Sequence, residues 1–255
     1  MATIVKGTGQ AKSALVEGGS LLQSRAEWEV RNDSLARGMS NLIAQYKPVH
    51  ATTGLDVGAE IGGLTDRFTA LTQLKWQAVD PDANERSVSP RGVELYPAFG
   101  HEMPFESEAF DCVTFVNVFE HVSPEWRVAT LREIHRVLRT GGILVGQLPN
   151  PYFPIESHSR LPFFGYAPAW LRPLYWRLTP TGWNYETAHF FIVTVKHLKL
   201  IAEDVGFETV LIRKFNYPVD AIPKAMRGLA SLHSRLGVLP WSWQFVFRKG
   251  VSTQS

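Results

Sequence analysis

From Thr52 onward the chain alternates short apolar runs with longer amphipathic segments, and this alternation restricts the fold more than any other feature. A strand buried on both faces reads as a continuous apolar run, and parallel neighbours need a crossover that a helix can supply. The runs Gly54 to Val57, Trp76 to Val79, Val93 to Leu95, Cys112 to Val116 and Ile143 to Gln147 therefore predict five parallel strands in an α/β domain with helices on both faces. Phe207 to Phe215 adds another strand. The closing WSWQFVF is short enough to enter antiparallel, with Trp241, Trp243, Phe245 and Phe247 alternating onto one face.

Helical spacing fills the gaps. Residues 21–46 carry Leu22, Trp28, Leu35, Met39, Leu42 and Ile43, which predicts a leading helix. After the first strand, Leu64, Phe68 and Leu71 are expected to face the core. A further helix has Ser123 as its cap, Pro124 in its first turn, Leu131, Ile134, Val137 and Leu138 as its buried stripe, and Gly141 and Gly142 as its stop. Val195 to Val205 is framed by Thr194 and Gly206, with Leu198, Ile201, Ala202 and Val205 on its apolar face.

Two segments break the alternation and are expected to form caps. Residues 151–186 are rich in proline and aromatic side chains, and residues 216–240 form a second insertion. The organisation expected is an N-terminal helical cap over 1–50, a cofactor-binding core over 51–150, and substrate-side insertions with sheet-completing strands over 151–255. A net charge of +2 gives little electrostatic reason for a nucleic-acid track. The start lacks a secretory pattern and no run reaches the ~18 apolar residues of a membrane span, so a cytoplasmic protein is expected. The single cysteine, Cys112, reads as a buried structural thiol.

The first strand runs into LDVGAEIGG, residues 55–63, and a helix follows. Glycine at such a turn lets backbone approach a ligand closely, which singles out Gly58 and Gly62. Asp80 ends the second strand, where an acid can accept hydrogen bonds from a ribose diol. A nucleoside cofactor of some kind satisfies both features. A nicotinamide fingerprint would need glycine at position 60, which is Glu60.

The run LDVGAEIGG resembles the first motif of class I S-adenosylmethionine-dependent methyltransferases. VDPD resembles the second motif, and HEMPFESEAFDCVTFVNVFEHV the stretch around the third and fourth strands. LREIHRVLRTGGILVGQLPNP continues the likeness, which spans roughly residues 50–215 and is greatest to the small-molecule branch of the ubiquinone and menaquinone methyltransferases. The resemblance implies a seven-stranded, mostly parallel sheet with its last strand antiparallel, and S-adenosylmethionine as cofactor. It implies that the cofactor pocket begins at Asp56, itself among the cofactor-binding residues, and that Gly58, Ala59, Glu60 and Gly62 line the methionine end. Asp80 would hold the ribose, Pro81, Gly100, His101 and Met103 would surround the adenine, and Asn117 and Val118 would flank the ribose or sulfonium. Two positions depart from the pattern. Glu60 stands where glycine is usual and suits either the cofactor's ammonium or a solvated turn. The acid often found near Phe99 is absent, which leaves adenine to backbone amides and stacking.

A sulfonium methyl is already activated, so a base is needed only where the acceptor must lose a proton. Histidine suits that role near neutral pH, and His158 and His121 are the candidates, with His189 behind them; a structural hydrogen bond is the alternative for each. Glu120 and His121 are adjacent and Glu156 and His158 two apart, spacings that match no recognised zinc pattern, so no metal is expected. The partner expected is a small-molecule acceptor. The aromatic insertion suits a large apolar or ring-containing one, and Arg160, Arg172 and Arg177 suit an anionic group. Glycosylated and lipid-linked acceptors, and contact with a membrane surface, stay open. A noncatalytic protein of the same fold, acting as partner or scaffold, is the other reading.

Overall fold

In the computed structural model, which describes residues 25–60, 62–83, 85–89, 91–179, 190–222, 224, 227–228, 231 and 239–250, the apolar runs assemble into one mixed sheet. Its strands are β1 (Thr53–Val57), β2 (Lys75–Val79), β3 (Ser87–Val88), β4 (Glu94–Tyr96), β5 (Phe110–Val116), β6 (Leu138–Pro149), β7 (Phe207–Phe215) and β8 (Ser242–Lys249), in the order β3-β4-β2-β1-β5-β6-β8-β7. Pairing is parallel from β4 through β2, β1 and β5 to β6. The last strand, β8, slots antiparallel between β6 and β7, as expected. The sheet gains one strand over the seven expected. It is the two-residue, exposed β3, which pairs antiparallel with β4.

The helices are α1 (Arg25–Tyr46), α2 (Gly63–Leu71), α3 (Arg127–Val137), the short α4 (Arg172–Trp176) and α5 (Val195–Val205). They cover both faces. Leu35, Met39 and Ile43 of α1 and Phe68 of α2 pack with Trp76, Ala78, Cys112 and Val246 in one layer. Leu131 and Ile134 of α3 and Leu198 and Ala202 of α5 pack with Leu55, Val113, Phe115 and Phe245 in the other. Cys112 is buried there as a structural thiol, its pKa raised by desolvation. The Thr194 hydroxyl caps α5 by accepting the His197 N–H at 3.2 Å, and Gly206 ends it in the left-handed region at φ 109°.

Four local expectations are corrected. Leu71 is 45% exposed, because α2 buries Thr65 and Phe68 instead. Ser123 opens a 3-10 turn (Pro124–Trp126) ahead of α3, without a side-chain cap bond. The stop at Gly141 and Gly142 is absent: α3 ends at Val137, Leu138 is already extended, and the glycines lie where the β5–β6 register shifts between Phe110 and Cys112. Trp241 lies ahead of β8 and packs with the α1 layer, opposite Phe245, because only the residues after it follow the strand's alternation. Leu22 and the side chain of Trp28 lie outside the described residues.

The described part of the insertion, residues 151–179, folds over the sheet's end as a cap. It has a bridge between Ile155 and Pro162, a 3-10 turn (Phe164–Tyr166) and α4, around a cluster in which its Leu161, Phe164 and Trp176 pack with Phe190. Among the described residues no helix is long and apolar enough to cross a membrane.

β1 has β2 on one side and β5 on the other, a switch point in strand order, and open α/β sheets bind ligands beyond the carboxyl ends of the strands at such a point. The centre of the sheet has little slack. A Cβ on Gly146 of β6 would lie 2.2 Å from Phe245 Cζ and 2.3 Å from the Phe115 carbonyl oxygen. Gly146→Ala is expected to destabilise the fold by about 3 kcal/mol, lowering the melting temperature by roughly 6–12 °C. Gly63→Ala, where a Cβ meets nothing within 4 Å, should leave thermal melts unchanged or slightly raised.

Candidate functional site

Asp56 sits one residue before the end of β1 and is buried. Its Oδ2 accepts the Thr65 hydroxyl of α2 and its Oδ1 the Thr114 hydroxyl of β5, both at 2.6 Å. Burial pushes its pKa up to about 6, against the pull of these two bonds. The chain then turns over the end of β2, the N–H groups of Gly58 and Ala59 donating to the Val79 carbonyl at 2.8 and 3.2 Å. Gly58 has φ 78°, and a Cβ there would fall 2.4 Å from Val118 Cγ2, so this turn and the end of β5 are in contact. Glu60 is exposed and left-handed at φ 52°, and Gly62, at φ 80°, leads into α2.

Asp80 is buried where β2 ends. Its Oδ2 accepts the Glu60 N–H at 2.7 Å and its Oδ1 the Asp82 N–H at 2.8 Å. Each carboxylate oxygen has a second lone pair, so the group that fixes the turn can also accept from a diol. Pro81 is exposed beside it. From the end of β4 come Gly100, packed on Val57, and His101, whose ring stacks on Trp126 at 4.2 Å and on Phe99 at 5.2 Å. Phe99 is 44% exposed where the acid is missing. Met103 is buried, its N–H donating to Glu133 at 3.0 Å. Asn117 follows β5 with φ 55°, and its N–H donates to the Gln147 carbonyl at 2.8 Å. The sheet thus gathers, at one end, the positions that the sequence resemblance singles out on β1, β2, β4 and β5.

Directly after Val118 a 3-10 turn (Phe119–His121) carries Glu120 and His121 under the cap. Glu120 is 2% exposed, and neither carboxylate oxygen has a hydrogen-bond partner. Burial pushes its pKa up to about 7, partly offset by the charge of His158. Glu156 is equally buried, yet its pKa falls to about 2. Desolvation works against it and loses to the His158 ring and to the amides of His158 and Ser159, whose N–H groups donate to it at 2.6–3.0 Å. The His158 Nδ1 lies 2.8 Å from Glu156 Oε1, while its Nε2 lies 4.0 Å from Glu120 Oε1. Burial lowers the His158 pKa, but the two carboxylates outweigh it and leave it raised. The His121 ring meets that of His158 edge-on at 4.9 Å.

His121 and His158, separate in the sequence, are therefore neighbours; His189 lies outside the described residues. The sequence reading did not foresee Glu156 as the group that orients His158, nor the Thr65 and Thr114 hydroxyls on Asp56. Thr65 and Thr114 stand 9 and 58 residues from Asp56, separations that carry no periodic signal. A cleft nearby is lined by Arg31 of α1, Ser157, Arg160, Tyr217, Ile222 and Trp241. Burial and the charge of Arg31 both hold the Arg160 pKa below its ordinary value, as two cations sharing one cleft require.

Residues 55–146 match the methyltransferase domain family Methyltransf_11. The ubiquinone/menaquinone biosynthesis C-methyltransferase of Hahella chejuensis is 27% identical over 151 residues, covering 52% of this chain and 60% of that protein. The demethylmenaquinone methyltransferase of Staphylococcus aureus is 29% identical over 143 residues, covering 54% and 57%. The chain thus spans under two thirds of the length of these curated relatives. Two solved structures share the fold. One is a Burkholderia thailandensis N1-methyltransferase with bound 1,6-didemethyltoxoflavin and S-adenosylhomocysteine, at TM-score 0.53, 16% identity, and coverage of 86% of this chain and 80% of that one. The other is the [4+2]-cyclase SpnF, at TM-score 0.61, 15% identity, and coverage of 97% and 94%.

The state of Asp56 makes stability depend on pH. Its folded pKa of about 6 lies above the ordinary 3.8, so the folded state binds the extra proton between these values and its stability falls as pH rises through them. The loss is roughly 3 kcal/mol once the carboxylate is ionised. Asp56→Asn removes this titration. Denaturant unfolding at pH 4 and pH 7.5 should show the variant gaining roughly that amount on wild type between the two; parallel curves would exclude it.

Proposed function

We propose that this protein transfers a methyl group from S-adenosylmethionine to an oxygen or carbon of a small-molecule acceptor lying between the turn at Gly58 and the cap. The observation that carries this reading is the contact of Gly58 with Val118, which sets the cofactor turn two residues from Glu120. When bound, the cofactor supplies a methyl already activated by its positive sulfur. Gly58, Ala59 and Gly62 line its methionine end beside the Asp56 strand end, and Glu60 faces the ammonium. Asp80 accepts from the ribose diol. Pro81, Gly100, His101 and Met103 surround the adenine, with Phe99 offering a ring face in place of the missing acid. Asn117 and Val118 close the sulfonium side.

His121 and His158 are the residues we assign to the acceptor, at the place where its proton is lost. The cap's aromatic cluster supports a ring-containing or extended apolar acceptor, since such side chains offer large contact area and exclude water. Arg31 and Arg160 in one cleft support an anionic group on that acceptor. Glycosylated and lipid-linked molecules fall within this description.

Calorimetry with S-adenosylmethionine tests the reading. Wild type should bind; no binding at millimolar cofactor would leave a noncatalytic partner or scaffold instead. Asp80→Ala should weaken binding by roughly ten- to a hundredfold with the fold retained by circular dichroism, the loss expected for hydrogen bonds to a charged acceptor. Unchanged affinity would mean that the ribose acid is another residue.

A further inference from the structure

Glu120 and His121 reach one point from the turn after β5, and His158 reaches it from the cap, 37 residues further along the chain than His121. One ligand atom from each lies within 4.8 Å of the others. Glu120 is buried with neither oxygen hydrogen-bonded, which is costly for a carboxylate unless something arrives to meet it. His158 is held by Glu156 at Nδ1, and that bond commits Nε2 to the side where Glu120 Oε1 lies at 4.0 Å. A histidine backed by a carboxylate in this way is the usual arrangement of a metal ligand.

We propose that Glu120, His121 and His158 bind a divalent cation of the zinc class, with Glu156 as the positioning residue for His158. Two imidazoles and one carboxylate suit zinc, cobalt, manganese or iron, whereas magnesium and calcium call for oxygen ligands. Tetrahedral bonds of about 2.1 Å place ligand atoms about 3.4 Å apart, so an ion would draw together side chains whose ligand atoms already lie within 4.8 Å of one another. Among the described residues the ligands number three, which leaves one of four tetrahedral positions for a further group. The sequence hides the site because no ligand spacing within either segment carries the pattern.

The role of the ion rests on the methyl transfer proposed above: the open position takes the acceptor's hydroxyl oxygen and lowers its pKa. The O–H proton then leaves to solvent, and the oxygen keeps the electron pair that bonds the methyl carbon, while sulfur keeps the pair of the broken S–C bond. The two histidines act as ligands, not bases.

The test is a cobalt(II) titration of the full chain after chelator treatment. Wild type should give one equivalent of visible absorption typical of four- or five-coordinate cobalt, displaced by equimolar zinc. Glu120→Gln and His158→Asn should each weaken cobalt binding at least a hundredfold and Glu156→Gln about tenfold, with His50→Ala, at an exposed position, unchanged. No such absorption in wild type overturns the proposal, whatever the folding of the variants. Undiminished affinity in both ligand variants overturns it too. Calorimetry with S-adenosylmethionine on the same samples separates the two readings. Cofactor binding without cobalt binding sinks the cation site alone, and cobalt binding without cofactor binding supports the site while removing the methyl transfer.

Discussion

The Asp56 carboxylate is the interaction on which the arrangement turns. It is buried between Thr65 of α2 and Thr114 of β5, and one hydrogen bond to each joins the central strand, the helix after it and the neighbouring strand. Ionising a carboxyl there is expensive, as the rise of its pKa to about 6 records. What it secures is the entry to α2. With that helix start fixed, the backbone from Gly58 to Gly62 must turn tightly, and it does so through left-handed residues with Val118 pressed against Gly58. Asp80 completes the turn by taking the Glu60 amide.

The other end of the site is governed by a contrast between two carboxylates. Glu120 and Glu156 are equally buried, and their pKa values move in opposite directions, to about 7 and about 2. Desolvation penalises both. The difference lies in partners: Glu156 closes a turn around His158 and Ser159 and collects their N–H groups, while Glu120 collects none. One carboxylate is thereby a fixed anion that orients an imidazole, and the other is left able to change its state or its ligand. Such pairs mark the places where environments have been separated for chemistry.

The central strands were legible because burial on both faces writes itself as unbroken apolar runs, and β1, β2 and β5 each lie within two residues of the expected bounds. Thr194 and Gly206 framed α5 because a cap and a left-handed terminator act within a few residues. Errors arose where a distant neighbour decided. Leu71 has the right spacing to be buried, but it lies 45% exposed at the end of α2, and Gly141 looks like a helix stop only until β6 is seen starting at Leu138 against Phe110.

The sequence by itself determined the α/β alternation, the glycine turn after Asp56, the acid at the end of β2 and the class of cofactor these imply, since each is written in residues near one another. Only the tertiary structure decided that Glu120, His121 and His158 share a point, that Glu156 orients one of them, and that Arg31 and Arg160 share a cleft. These groups come from the end of a strand, a cap and the leading helix. What brings them together is the packing of whole layers, and local propensity and spacing carry no record of it.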